Sequence, residues 1–295
     1  MSRLQRCLSL LILALAVGHA HASLYSSQVI ADDPLGYWRF EETAGTTLAD
    51  SSGNGYSGSW YGAALQSGAG IDGNALRFNG IDQYALVDDD PAFRFDGQSV
   101  TVEAWVQVAD NSDQYRSYVT VGGRHAASPV NYNDAVWLGK ARAGSDAGAL
   151  RWDSYQGTTN ILTDSYSGAL GWTGDSAPRD EWIHLVGVID LASQQQSFYI
   201  NGDVQETLPI YSLDVSTAQY FAVALGAFMN SAGDYFAFHN SLMDEVAIYD
   251  YALSGEQIGN HYAVATGAAM VSAPPLQGWL WAGALILVWR GRGRC

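Results

Sequence analysis

From Ser99 to Val108 apolar and polar positions alternate. Val100, Val102, Ala104, Val106 and Val108 fall on one side, and Ser99, Thr101, Glu103, Trp105 and Gln107 on the other. A period of two over ten residues predicts a half-buried antiparallel strand. Trp182 to Ile189 is almost continuously apolar and reads as a central strand covered on both faces. Ser197 to Ile200, then Asn201-Gly202, then Asp203 and Val204 reads as a hairpin, because Asn-Gly supplies the two positive φ values of a type I′ turn. Gly36–Phe40, Ala75–Phe78, Gln83–Val87 and Tyr220–Phe228 are further short strands. Ala109 to Gly174, rich in Asp, Ser, Gly and Tyr, reads as short strands with long loops. Many short strands separated by Gly, Asn and Asp turns predict an all-β sandwich. One helix is expected: Ser254-Gly255-Glu256-Gln257 has the spacing of a capping box, with about two turns following to near Tyr262.

The two ends are of different character. Arg3 and Arg6 precede the apolar run Leu8–Val17, and Ala20-His21-Ala22 puts small residues before Ser23. That order predicts a secretory signal peptide over residues 1–22. Residues 23–265 form the body, and 266–275, ending in Pro274-Pro275, a linker. Residues 276–295 form an apolar segment with a basic end: Leu276–Trp289 is apolar except for Gln277, and Arg290, Arg292 and Arg294 follow. Fourteen helical residues reach only ~21 Å, against a hydrocarbon core of about 30 Å. With Val271, Pro274, Pro275, Leu276, Trp279 and Leu280, this segment resembles the bacterial PEP-CTERM sorting tags in their Val-Pro-Leu-Pro form, although Pro-Glu-Pro itself is absent. The resemblance implies membrane sorting or transpeptidase-type machinery as a partner. It also implies transient inner-membrane anchoring, then a cell-surface or extracellular location. A plain tail anchor is the alternative.

Composition narrows the function classes. Five of the 14 Lys plus Arg lie in the two end segments and all 30 acids in the body, so the body carries a net charge near −21. Such a body repels nucleic acid and anionic lipid. Both cysteines, Cys7 and Cys295, lie in the end segments, so the exported body is held without disulfides.

Four separated segments carry a family resemblance. Gly36-Tyr37-Trp38-Arg39-Phe40-Glu41-Glu42 is followed by Asp50-Ser51-Ser52-Gly53-Asn54-Gly55, and then by Gly73-Asn74-Ala75-Leu76-Arg77-Phe78-Asn79-Gly80. Glu103-Ala104-Trp105-Val106 comes next, with Trp182-Ile183-His184 and Tyr199-Ile200-Asn201-Gly202 beyond it. Met243-Asp244-Glu245-Val246-Ala247-Ile248-Tyr249 with Ala252-Leu253-Ser254 closes the set. In this order the body resembles the concanavalin A-like lectin/glucanase superfamily, laminin-G-type jelly-roll branch. Ser241 departs from the Gly the family often has there. The resemblance implies an all-β, two-sheet antiparallel jelly-roll sandwich with one short C-terminal helix and an early strand near Trp38 beside the last strand near Val246. Trp38, Phe40, Trp105 and Ile248 are then packing residues.

Candidate chemistry is sparse. Asp50, a carbonyl of Gly53, and Asp244 are the candidate ligands of a structural Ca²⁺, an ion that takes six to eight oxygens. Equally, Asp50 forms an Asx-turn and Asp244 bonds a turn backbone. Asp88-Asp89-Asp90 reads as a solvated turn before Pro91, and Glu42 as a backbone cap. Trp152, Tyr155, Asn160, Tyr166 and Trp172 interleave aromatic and polar groups and form a candidate glycan patch; sandwich packing is the competing account. His125, His184, His239 and His261 lack metal-ligand spacing and read as structural. The Glu-x-Asp-x-x-Glu of the superfamily's glucanases is absent, and Asp244-Glu245 are adjacent, so strand alternation sends them to opposite faces. The expected function is therefore a non-catalytic binding module for a glycan or a surface protein. The alternatives are a structural envelope or matrix protein without a small ligand and, less favoured, a glycan-active enzyme.

Overall fold

A computed structural model describes residues 24–95, 97–109, 114–125, 134–140, 150–154, 170–171, 179–210, 218–229 and 234–268. The expected signal segment, the linker beyond 268 and the C-terminal apolar segment lie outside these residues.

Two antiparallel sheets of eight strands form a sandwich. The first runs β14 (Asp203–Pro209), β13 (Gln195–Ile200), β12 (Trp182–Asp190), β7 (Val100–Gln107), β18 (Asn240–Tyr249), β5 (Asn74–Asn79) and β4 (Gln66–Ala69), with β1 (Gly36–Trp38) also on β18. The second runs β11 (Leu170–Gly171), β10 (Leu150–Ser154), β9 (Asp134–Lys140), β8 (Arg116–His125), β15 (Ala218–Leu225), β6 (Tyr84–Val87), β3 (Gly58–Tyr61) and β2 (Thr47–Leu48). A hairpin of β16 (Phe228–Met229) and β17 (Tyr235–Phe236) leaves the end of β15. Trp38 faces Val246 across β1 and β18, as expected for this topology.

The core between the sheets takes alternate residues from each: Val100, Val102, Ala104 and Val106 from β7, and Ala85, Val87, Val223 and Leu225 from β6 and β15. Trp152 crosses the sandwich to lie on Gly187 of β12. A Cβ at that glycine would stand 2.1 Å from the indole, so only Gly leaves room for the ring. At the predicted hairpin, Asn201 (φ 53°) and Gly202 (φ 82°) make the left-handed pair that joins β13 to β14.

Strand β7 departs from the half-buried expectation. Val100 to Val106 are buried on both faces, because two helices cover the outer side of the first sheet. They are α1 (24–31) and α2 (Gly255–Thr266). Helix α2 has the expected capping box at Ser254 and Gln257, and runs past Tyr262 to Gly267, a left-handed C-cap. Under the helices Tyr25, Val29, Tyr37, Trp105, Val186, Val188, Tyr249, Leu253 and Ile258 form a second apolar cluster. No helix among the described residues is long and apolar enough to cross a membrane.

Candidate functional site

The outer face of the second sheet carries the candidate ligand surface. Alternation in β3 points Trp60 into the core and Tyr61 outward. Tyr61 faces Tyr84 across β3 and β6, and their rings stack at 5.0 Å and 9°. Tyr84 stacks in turn on Tyr235 of β17, at 4.2 Å and 20°. The β16–β17 flap rests on the same face. Thr120 Oγ1 donates to the Ala227 carbonyl and Ser117 N to that of Ala237. Arg116 Nη1 donates to the Phe238 carbonyl. Phe228 meets Trp137 edge-on at 6.4 Å and Phe236 at 5.1 Å. Farther along this face, Asp153 of β10 is buried 3.6 Å from Arg151. Burial pushes its carboxyl up to about 6, against the pull of Arg151.

A polar cluster lies on the opposite side of the molecule, under the two helices. Glu103 is fully buried and its oxygens accept from Tyr25 Oη (2.8 Å), His184 Nε2 (2.7 Å), Tyr249 Oη (3.2 Å) and His261 Nδ1 (2.9 Å). The other ring nitrogen of His261 meets Asp32 at 2.8 Å. With a carboxylate at each nitrogen, both must carry a proton and His261 is an imidazolium. Burial opposes that charge, but Glu103 and Asp32 hold its pKa up to about 10. Glu103 is likewise kept ionised against its burial, well below the usual carboxylate range, by His261 and His184. Asp32 is lowered, chiefly by its bond to His261. The cluster ties β7, β12, β18 and both helices together, and only its Asp32 end is partly open to solvent.

Asp50 opens the expected Asx-turn. Its oxygens accept from Tyr37 N (3.0 Å), Ser52 N (2.9 Å), Ser52 Oγ (2.8 Å) and Tyr56 N (2.9 Å). Gly53 lies exposed in the same turn. Asp244 holds a different loop: Oδ2 accepts from Ile71 N (2.7 Å), while Oδ1 is buried with no hydrogen-bond partner. Burial, with Glu245 adding to it, pushes the Asp244 carboxyl up. Glu245 sits at a bulge with φ 51°, bonded by Tyr37 Oη and by Arg39 Nε at 3.2 Å. Burial drives it up to about 8. Arg39 also meets Asp72 at 3.0 Å and Glu41 at 3.5 Å. Among the described residues no group of three or more His, Cys, Asp or Glu is arranged to hold a metal ion. Glu42 caps Ala49 N, as expected, and in the turn before Pro91 Asp90 caps Ala92 N.

Of the five residues expected to form a glycan patch, Trp152 requires correction: it is fully buried in the core against Gly187 and offers no ring face to a ligand. Tyr155, Asn160, Tyr166 and Trp172 lie outside the described residues. The Tyr61–Tyr84–Tyr235 stack was absent from the sequence expectation. Its signal was there in the alternation of Ser59-Trp60-Tyr61, which puts a large aromatic on the solvent side of a strand.

Several solved structures share this fold. The receptor-binding domain of a botulinum neurotoxin C/D mosaic serotype matches at a TM-score of 0.56 and 15% identity, over 78% of this chain and 51% of that one. A botulinum neurotoxin type C structure, described by the dependence of cell entry on two ganglioside molecules, matches at 0.57 and 13%, over 80% and 52%. The chain thus spans about half the length of these toxin chains. Domain 4 of AbnA, a GH43 extracellular arabinanase from Geobacillus stearothermophilus solved with arabinotriose, matches at 0.50 and 18%, over 78% of this chain and 98% of that one. No curated protein matches in sequence. A family model, Laminin_G_3, matches residues 79–259; together with the two-sheet jelly-roll sandwich, it shows that the chain belongs to the concanavalin A-like lectin/glucanases superfamily.

Proposed function

We propose that this protein is a non-catalytic glycan-binding module whose ligand platform is the tyrosine stack Tyr61, Tyr84 and Tyr235. The observation that carries the reading is the stack itself: three near-parallel rings on the outer face of a rigid sheet, ending in Tyr61 at 41% exposure. Aromatic rings with a polar tip pack on the apolar faces of sugars while the hydroxyl stays wet. The arabinanase domain solved with arabinotriose and the toxin tied to gangliosides support a glycan as the class of ligand. The adjacent carboxylates Asp244 and Glu245 are fully buried and engaged with Ile71, Tyr37 and Arg39, which favours binding over hydrolysis. The reading extends to place: export through residues 1–22 and sorting through 276–295 would put the module at the surface or beyond.

A Ca²⁺ is part of the same proposal, at Asp244. Asp50 is spent on four hydrogen bonds, whereas Asp244 Oδ1 is buried without a partner, so of the two only Asp244 is left to accept a cation. Backbone carbonyls and water would have to complete the shell. The test is a glycan array probed with the full chain, with and without Ca²⁺. Binding to a defined set of sugars is expected; an array on which nothing binds in either condition overturns the proposal.

A further inference from the structure

The geometry of the stack limits what it can hold. Tyr84 stands between Tyr61, on the neighbouring strand β3, and Tyr235, brought from the β15 side by the flap, so both faces of its ring are covered. Tyr235 gives one face to Tyr84 and packs with it over Leu86, Ala222 and Ala224. Tyr61, at the end of the stack, is left to turn a face to solvent. Strand β2 pairs with β3 only as far as Thr47 opposite Ser59, so among the described residues no strand flanks Tyr61 on that side.

The ground around Tyr61 is fixed in advance. Gln83 Nε2 donates to the Ala63 and Ala64 carbonyls, and Trp60 Nε1 to that of Ala63. Beside them Asn79 Oδ1 accepts from Ile81 N and Asp82 N, a turn that holds Ile81 out at 73% exposure. Its Asp82 carbonyl lies so close to Gly62 that a Cβ there would come within 2.2 Å. The site is one ring face and one aliphatic side chain on a rigid backbone.

The flap closes the other direction. Thr120, Ala222 and Ala224, in the middle of the sheet, are each 1% exposed. A sugar chain laid from Tyr61 towards Trp137 would have to displace the Phe228–Phe236 hairpin. The rim is acidic as well: Asp82, which adjoins Ile81, is exposed on a body of net charge near −21. This negative field opposes an anionic ligand.

We infer that this site, on the glycan-binding reading above on which the inference rests, takes the single uncharged sugar ring at the end of a glycan. That ring stacks on the outer face of Tyr61; internal stretches of a chain and acidic sugars are refused. Calorimetric titration of the full chain would use arabinose, galactose and glucose oligosaccharides of one to six units, with galacturonate oligomers and sialyllactose as acidic probes. Affinity is expected to level off by the second unit, and acidic sugars to bind about tenfold more weakly or worse. Tyr61→Ala is expected to weaken binding about tenfold with an unchanged melting temperature, while Tyr61→Phe retains it. Affinity that climbs with every unit to the sixth, or acidic sugars binding as well as neutral ones, overturns the inference and leaves the glycan reading standing. Binding that survives Tyr61→Ala moves the site off the stack and overturns the inference too. Failure of every sugar to bind overturns the glycan reading itself.

Discussion

Replacing His261 by Gln removes one positive charge from between two carboxylates with little change of volume. In the wild-type protein Glu103 is fully buried, and the imidazolium of His261 lies between it and Asp32. After His261→Gln the hydroxyls of Tyr25 and Tyr249 and the ring of His184 still bond Glu103, but the positive charge between Glu103 and Asp32 is gone. Stripping the partner from a buried ion pair costs about 3–5 kcal/mol. The retained amide bond and the partial exposure of Asp32 place this case near the lower end, about 3 kcal/mol. For a domain of this size that corresponds to a fall in melting temperature of roughly 6–12 °C. Urea unfolding followed by tryptophan fluorescence reads it, since Trp105 stacks on His184 in the same cluster at 4.8 Å. The pH dependence supplies a second readout. His261 has a raised folded pKa, so its stabilisation is complete below its ordinary 6.5 and is lost as pH rises towards about 10. Glu103 and Asp32 have lowered values, so theirs is complete above their ordinary 4.5 and 3.8 and is lost as pH falls. The cluster therefore contributes most between about pH 4.5 and 6.5. Between pH 7 and 9 the wild type should lose stability with a slope that the variant lacks by up to one proton. A loss under about 1 kcal/mol, or identical alkaline slopes, would refute the reasoning.

Other perturbations probe separate parts of the molecule. Gly187→Ala drives a Cβ into the Trp152 indole and should cost about 1–3 kcal/mol in the urea midpoint. Burial raises the Asp153 carboxyl to about 6, so the penalty of its charge grows as pH rises from its ordinary 3.8 to that value; Asp153→Asn should therefore gain stability relative to wild type at pH 8 and little at pH 4, read by thermal melts. If Ca²⁺ seats on Asp244, saturating Ca²⁺ raises the wild-type melting temperature and leaves that of Asp244→Asn unmoved; no shift in the wild type discards the ion.

Elements set by local rules were legible in the sequence. The Asn201-Gly202 turn, the Ser254 capping box and the β7 alternation each depend on residues within a few positions. The doubly covered β12 was read from its unbroken apolar run. What failed depended on distant packing. Glu103 occupies a nominally solvent-facing position, and nothing near it announces that Tyr25, 78 residues before it, and His261, 158 after it, will close over it. His184 and His261 were each read as structural, and their meeting at one carboxylate was not visible. Trp152 was assigned to a ligand patch because its neighbours are polar; strand parity decides its direction, and parity within a loop-rich stretch was not resolved. Tyr61, Tyr84 and Tyr235 come from three parts of the chain, and only the pairing of β3 with β6 and the fold-back of β17 bring their rings together. Asp50 and Asp244 were joined by a fold expectation, whereas each holds its own loop.

Saturation-transfer NMR bears most directly on the central claim, with the aromatic protons of the full chain irradiated in the presence of a neutral oligosaccharide that the array selects. The account predicts that saturation reaches the protons on one face of the terminal sugar ring and disappears in Tyr61→Ala, while the variant's melting temperature is unchanged. Transfer that persists undiminished in Tyr61→Ala, or that spreads evenly along the oligosaccharide, would contradict it.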